Sequence, residues 1–281
     1  MFAGYSVMPS RYGDVRTRSW THGTVWWCLG DMTIAFVNGV PVTPAVWTPL
    51  IDELPEARQR EAVLLAPPGF GAPLPADFAA TFDDYRDWLI DELSRFDAPV
   101  DLVGHSLAGG YVLEVAMGRP DLIRSWVSDT VAGYEPDYTW HDLAKLWQTP
   151  GEGERHVEEL FSGDAGDRAA RMVGWGIPEP TAGEVALHQG EEMSRAILAL
   201  YRSVPQRVLI ERGRDLSAAA TRPGLVPIAL QDDTVGSPAL RRRAAERAAA
   251  RTADLEGLGH WWMLDDPART AAMLIGFWDS L

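Results

Sequence analysis

Cysteine is nearly absent: Cys28 is the only one in 281 residues, which excludes an intrachain disulfide and makes a reducing cytoplasm the expected setting. Its place inside the apolar run TVWWCLG marks it as a small hydrophobe rather than a reactive thiol. Long hydrophobic runs are missing too. No stretch approaches the roughly 18–20 apolar residues that cross a bilayer, so no membrane partner is expected. The N-terminal MFAGYSVMPSRYGDVR lacks the basic-then-apolar order of a secretory signal. Positive charge is scarce: 25 Lys and Arg against 40 Asp and Glu leave a formal net charge of −15. That balance argues against nucleic acid as a partner. The one arginine cluster, RRRAAER from Arg241, lies in an alanine-rich helical stretch and reads as a solvated helix face. Histidines and carboxylates show no metal-ligand spacing. In GFGAPLPADF, prolines occupy the place where a dinucleotide fingerprint would start its helix. Ser106-Leu107-Ala108-Gly109 lacks the lysine of a phosphate loop, so neither metal nor cofactor is expected.

What is present is an ordinary globular composition, 46% hydrophobic and 23% charged, with twelve tryptophans. The length suits one α/β domain carrying an insertion, as a monomer or homodimer. RTRSWTHG and TVWWCLGD, joined at His22-Gly23, suggest an N-terminal hairpin. Beyond it, buried strands are expected in MTIAFVNG, EAVLLAPPGFG, VDLVGHS, RSWVSD, PGLVPIALQ and RTADLEG. Between them run helical segments: TPAVWTPLIDEL, DFAATFDDYRDWLIDELSRF, LAGGYVLEVAMGRP, RVLIERGRDLSAAATRP and SPALRRRAAERAAA, with DPARTAAMLIGFWDSL closing the chain. Alternation of this kind specifies a mostly parallel sheet with helices on both faces. From 133 to 205 the pattern turns polar, Trp- and Gly-rich and helical, as expected of a lid between two sheet strands. The expected division is therefore a core of 1–132 and 206–281 with a cap of 133–205.

The strongest chemical signal is VDLVGHSLAGG, an apolar strand running straight into small-x-Ser-x-small and then a helix. That context describes a nucleophile elbow, a strained turn that lifts the Ser106 hydroxyl above the sheet. Gly104 and Ala108 are small because strand and helix backbones meet there. Serine needs a base, and His260 in LEGLGHWWMLDDP, between the last strand and the last helix, is the candidate. His22, His141, His156 and His188 fall in the hairpin turn and the lid. The acid that orients His260 has three candidates. Asp232 and Asp233 follow one buried strand, and Asp129 ends the strand after the nucleophile helix. The backbone N–H groups of Leu107 and Val40 are expected to form an oxyanion hole, with Gly39 allowing close approach. His105, Trp140 and Trp261 are expected, with Gly39, around the substrate pocket.

With these residues assembled, the chain resembles the α/β-hydrolase superfamily, closest in layout to the haloalkane dehalogenase and epoxide hydrolase branch. VNGVPVTPAVW is similar to that branch's HGxPxxxxxW oxyanion motif, with Asn38 replacing the usual histidine, and APPGFGAP to its P-G-x-G loop. The resemblance implies an α/β-hydrolase fold with a helical cap. That branch, however, carries Asp at the nucleophile seat, where this chain has Ser106. A carboxylate forms alkyl esters with halides and epoxides, whereas a serine alkoxide suits acyl carbons. SDTVAGYEPDY is also similar in layout to members that draw their acid from the strand after the nucleophile helix, which keeps Asp129 in play. The expected activity is cleavage of an apolar carboxylic ester or lactone. The alternative is a lyase, C–C bond hydrolase or cofactor-free dioxygenase using the same residues.

Overall fold

The structure, a computed structural model, describes residues 32–281; the expected hairpin, Cys28 and His22 lie outside them. Six strands build one sheet: β1 (Ile34–Val37), β2 (Ala62–Leu65), β3 (Val100–Gly104), β4 (Ile123–Ser128), β5 (Gly224–Ala229) and β6 (Arg251–Leu255). Their order is β2-β1-β3-β4-β5-β6, and every neighbouring pair is parallel. Central strands of a parallel sheet are covered on both faces, so they read as unbroken apolar runs. IAFV of β1 and GLVPIA of β5 are buried throughout, while β6 at the edge exposes its first residues.

Each crossover carries helix. α1 (Thr48–Asp52) and α2 (Glu56–Glu61) precede β2, and α3 (Phe82–Leu93) precedes β3. Thr81 caps α3 through a reciprocal bond with Asp84, and Phe82, Tyr85, Leu89 and Leu93 turn inward at helical spacing. α4 (Leu107–Gly118) follows β3 with no intervening loop beyond His105 and Ser106. Between β4 and β5 come α5 (Asp142–Gln148), α6 (Glu152–Leu160), α7 (Ala165–Gly174), α8 (Thr181–Leu187), α9 (Glu191–Ser203) and α10 (Gln206–Arg212). A 3-10 segment, Gly213–Thr221, leads from α10 into β5, so RVLIERGRDLSAAATRP is helical as expected. α11 (Pro238–Arg247) joins β5 to β6, and α12 (Trp262–Asp265) and α13 (Pro267–Trp278) close the chain. Among the described residues no helix is long and apolar enough to cross a membrane.

The arginine cluster on α11 departs from its reading as a solvated face. Arg241 is completely buried, with Nη2 donating to the carbonyls of Ala229 at 2.8 Å and Asp232 at 2.9 Å. Arg242 pairs with Asp254, while Arg243 and Arg247 both reach Glu135. The loop leaving β5 turns back on itself, with the Asp232 N–H donating to the Ala229 carbonyl at 3.2 Å. The Arg241 guanidinium, reaching in from the neighbouring helix, adds a second donor to that oxygen and supplies one to the Asp232 carbonyl.

Candidate active site

In a parallel sheet the loops that follow the strands gather at one edge. Asn38 and Gly39 follow β1, His105 and Ser106 follow β3, Asp129 follows β4, Asp232 follows β5, and His260 follows β6.

Ser106 sits at φ 54° and ψ −135°, a left-handed conformation rare for a side-chain-bearing residue. The turn is tight enough that a Cβ on Gly104 would fall 2.5 Å from Val112 Cγ2 and 2.9 Å from the Ala108 carbonyl oxygen. The strain is held by named contacts. The Ser106 N–H donates to Asp129 Oδ1 at 2.8 Å, and the Thr130 hydroxyl bonds the Ser106 carbonyl. Asp129 Oδ2 in turn accepts from Trp262 Nε1 at 2.9 Å. The opposite wall is the β1 loop. A Cβ at Gly39 would lie 2.6 Å from Ser106 Cβ and 2.8 Å from the His105 carbonyl oxygen, so only glycine fits. Asn38 Nδ2 fastens this loop by donating to the carbonyls of Gly39 at 3.0 Å and Val42 at 2.8 Å. The N–H groups of Val40 and Leu107, by contrast, enter no hydrogen bond among the described residues.

His260 is the histidine brought to this edge with a carboxylate behind it. Its Nδ1 lies 3.1 Å from Asp232 Oδ2, and Asp232 Oδ1 accepts the Thr234 N–H at 2.8 Å. Burial works to raise the Asp232 pKa. The hydrogen bond and charge of His260, the Thr234 N–H and the charge of Arg241 outweigh it and hold the carboxyl well below its usual range. For His260 burial pulls down, yet the bond and charge of Asp232 and the charge of Asp129 prevail, and its pKa rises. Asp129 therefore acts on the imidazole through space, with one oxygen committed to the serine turn and the other to Trp262. Asp233 is exposed and joins neither residue.

The expected pocket residues separate. Gly39 presses on Ser106 as described. Trp261 packs 5.0 Å from the His260 ring and donates Nε1 to the Trp175 carbonyl at 2.8 Å, joining α12 to the end of α7. Trp140 donates to the Val204 carbonyl and stacks edge-on with Tyr138, His141 and Tyr201. His105 corrects its expectation. Its ring is 0% exposed, closed in by Trp47, Trp261 and Trp262, so it cannot form a pocket wall. Its Nε2 instead donates to the His260 carbonyl at 2.8 Å. Burial first, with the charge of His260, lowers its pKa to about 4 against the pull of Asp129, so the ring is neutral. Of the remaining histidines, His156 accepts from Trp147 Nε1 at 3.0 Å and His188 is exposed.

Sequence reasoning passed over Thr130 and Trp262 and misread Arg241, all of which hold these loops. Only Trp262 had a signal, as the second tryptophan after His260. Together the geometry offers a raised serine hydroxyl, an imidazole polarised by a buried carboxylate, and two uncommitted amides near the same turn. Such a set supports nucleophilic attack with general-base assistance.

Comparison with known proteins bears on the fold. No curated protein matches the sequence. Among solved structures, a haloalkane dehalogenase from Bradyrhizobium elkanii superposes with a TM-score of 0.64 at 19% identity, over 90% of this chain and 93% of its own. The enol-lactonase from Burkholderia xenovorans gives 0.64 at 16% identity, over 89% and 92%. E-2-(acetamidomethylene)succinate hydrolase gives 0.59 at 21% identity, over 88% and 91%. At these identities the likeness is one of fold. The model of the alpha/beta hydrolase family matches residues 34–273, a span containing every loop named above. The chain belongs to the alpha/beta hydrolase family.

Proposed function

We propose that this protein is a serine hydrolase that cleaves a carboxylic ester or lactone of an apolar small molecule through an acyl-enzyme on Ser106. The observation that carries the reading is the left-handed turn at Ser106, whose neighbour His105 packs 4.6 Å from the ring of His260, itself bonded to Asp232. His260 takes the hydroxyl proton as Ser106 Oγ bonds to the acyl carbon. The carbonyl π electrons move to oxygen, and the Leu107 and Val40 amides hold that oxyanion. Collapse expels the alkoxide, which takes the proton from His260. Water then repeats the cycle on the acyl-enzyme and releases the acid. Asp232 orients His260 and stabilises its charged form throughout.

Serine rather than aspartate at the turn favours acyl over alkyl transfer, which argues against a dehalogenase reading despite the shared fold. Helices α5–α9, within 133–205, are read as a cap. The Trp261–Trp175 bond and the packing of α8 against the Pro44–Trp47 turn support a seat beside the site. Trp140 and Trp261 would give the pocket an apolar lining.

The test is hydrolysis of p-nitrophenyl acetate and butyrate together with labelling by a serine-directed fluorophosphonate. A burst of p-nitrophenol and label on Ser106, both abolished by Ser106→Ala, are expected. Absence of both burst and label sinks the reading.

A further inference from the structure

We propose that His141, Tyr138 and Tyr201 form an uncharged hydrogen-bonding subsite beside the nucleophile turn, and that the substrate is a neutral ester or lactone bearing a second oxygen, a ketone or hydroxyl, away from the scissile carbonyl. The proposal rests on the serine-hydrolase reading above and adds the substrate class.

His141 carries the argument because its tautomer is fixed by the backbone. It is the N-cap of α5, and its Nδ1 accepts the Ala144 N–H at 3.2 Å. The ring proton of the neutral imidazole therefore sits on Nε2, which has no partner among the described residues and is not sealed off. The ring is gripped by Trp140 at 6.0 Å and Tyr201 at 6.3 Å, both edge-on, so the donor points in one direction. Tyr138 and Tyr201 are 4% and 3% exposed, yet neither hydroxyl is hydrogen-bonded among the described residues or closed to solvent. Buried phenol rings with open, unpaired tips are unusual, since a buried tyrosine hydroxyl ordinarily finds a partner.

Of the three, Tyr138 borders the loop that carries Asp232, and Trp140 links it to His141 and Tyr201. Tyr138 packs against Gly236, four residues beyond Asp232; a Cβ there would lie 3.3 Å from its Cδ2. The charges of His260 and Asp232 act on His141, and that of Asp232 on Tyr138. Burial, the largest influence, brings the His141 pKa down to about 4, in keeping with a neutral ring. The other charges acting on it, Asp142 and Lys145, are exposed and paired to each other at 3.0 Å. The three lining groups are themselves uncharged, while the charge of Asp232 is met by His260 and Arg241. A carboxylate-bearing substrate would give up its water there with no cation among the lining groups to pair with, while a neutral oxygen could take up the His141 N–H and the tyrosine hydroxyls.

The experiment compares p-nitrophenyl oxoalkanoates, with the ketone at C4, C5 or C6, against methyl isosteres, and adds the isosteric glutarate half-ester. At least one ketone should exceed its isostere in kcat/KM by up to about tenfold, the worth of one added hydrogen bond, and the glutarate should be poorest. His141→Asn keeps a capping oxygen but withdraws the Nε2 donor, and Tyr201→Phe withdraws one hydroxyl. Either should bring the ketone-to-methyl ratio toward one. A wild-type ratio of one for every pair, a ratio unmoved by both variants, or preference for glutarate overturns the proposal. If no ester is turned over, the serine-hydrolase reading fails separately. The subsite is then read by tryptophan fluorescence titration of Ser106→Ala with 5-methyl-2-hexanone. Several-fold weaker binding after adding His141→Asn supports the subsite, and equal binding removes it.

Discussion

The carboxylate of Asp129 accepts the backbone N–H of Ser106 at 2.8 Å, so an acid that could have served the imidazole instead fastens the nucleophile's own amide. Its other oxygen takes the Trp262 indole N–H, and the Thr130 hydroxyl lies 2.9 Å from the first. Asp129→Asn would turn one acceptor into a donor facing donors. The expected loss of stability is about 1–3 kcal/mol, the cost of a buried polar group left unpaired. Activity should fall through a disturbed serine turn, and the pH at which His260 ionises should fall as well, because the Asp129 charge raises its pKa. Denaturant melts and a pH–rate profile check both.

Asp232→Asn should leave the fold intact and reduce kcat by about ten-thousand-fold, as expected when the orienting acid becomes an amide and the wrong imidazole tautomer is held. The pH dependence carries the sign. His260 must be neutral to accept the serine proton, and its pKa lies above the ordinary value of 6.5. The acidic limb of kcat/KM is therefore expected above pH 6.5 in the wild type. Loss of the Asp232 charge should move the residual limb to lower pH. A limb that stays in place would remove Asp232 from its role.

Gly39→Ala should cost about 100–1,000-fold in kcat, comparable to losing one oxyanion donor. The added methyl would stand 2.6 Å from Ser106 Cβ and 2.8 Å from a backbone oxygen, neither of which is a flexible side-chain end. The loop bearing Val40 must then move away. Single-turnover kinetics beside a thermal melt separate this from unfolding: kcat should drop far more than stability.

Arg241→Gln removes a buried charge that lowers the His260 pKa while retaining a side-chain donor for the Ala229 and Asp232 carbonyls. The acidic limb should therefore move to higher pH, opposite to the Asp232→Asn shift. Arg241→Lys keeps the charge and should leave the limb where it is. A limb unmoved in Arg241→Gln would mean that Arg241 acts only as a brace.

Much of this was legible in the sequence because it follows from local chain chemistry. VDLVGHSLAGG places strand, turn and helix in eleven residues, and neither Ser106 nor the start of α4 needed a distant contact to be found. His260 followed from its position after the last strand. The carboxylate beside it did not, because Asp129 and Asp232 both follow strands, and the difference lies in which way the imidazole faces. His105 was misplaced for a related reason. A left-handed residue reverses the chain, so the side chain before it drops into the core, which spacing does not reveal. Arg241 was misread because alanine-rich neighbours look like a solvated face; what buries it is a pair of carbonyls in another loop. The short α2 and α12 were missed, being too brief to show a period.

His105 Nε2 reaches the carbonyl of His260, so the residue beside the nucleophile holds the backbone of the base. The two loops are 155 residues apart in sequence, yet a partly buried hydrogen bond ties them together. The proposed nucleophile and base would then form one prefabricated unit rather than two parts assembled by an arriving ligand. Heating should abolish them together, so that inactivation and the loss of amide-exchange protection around Ser106 and His260 follow a single curve.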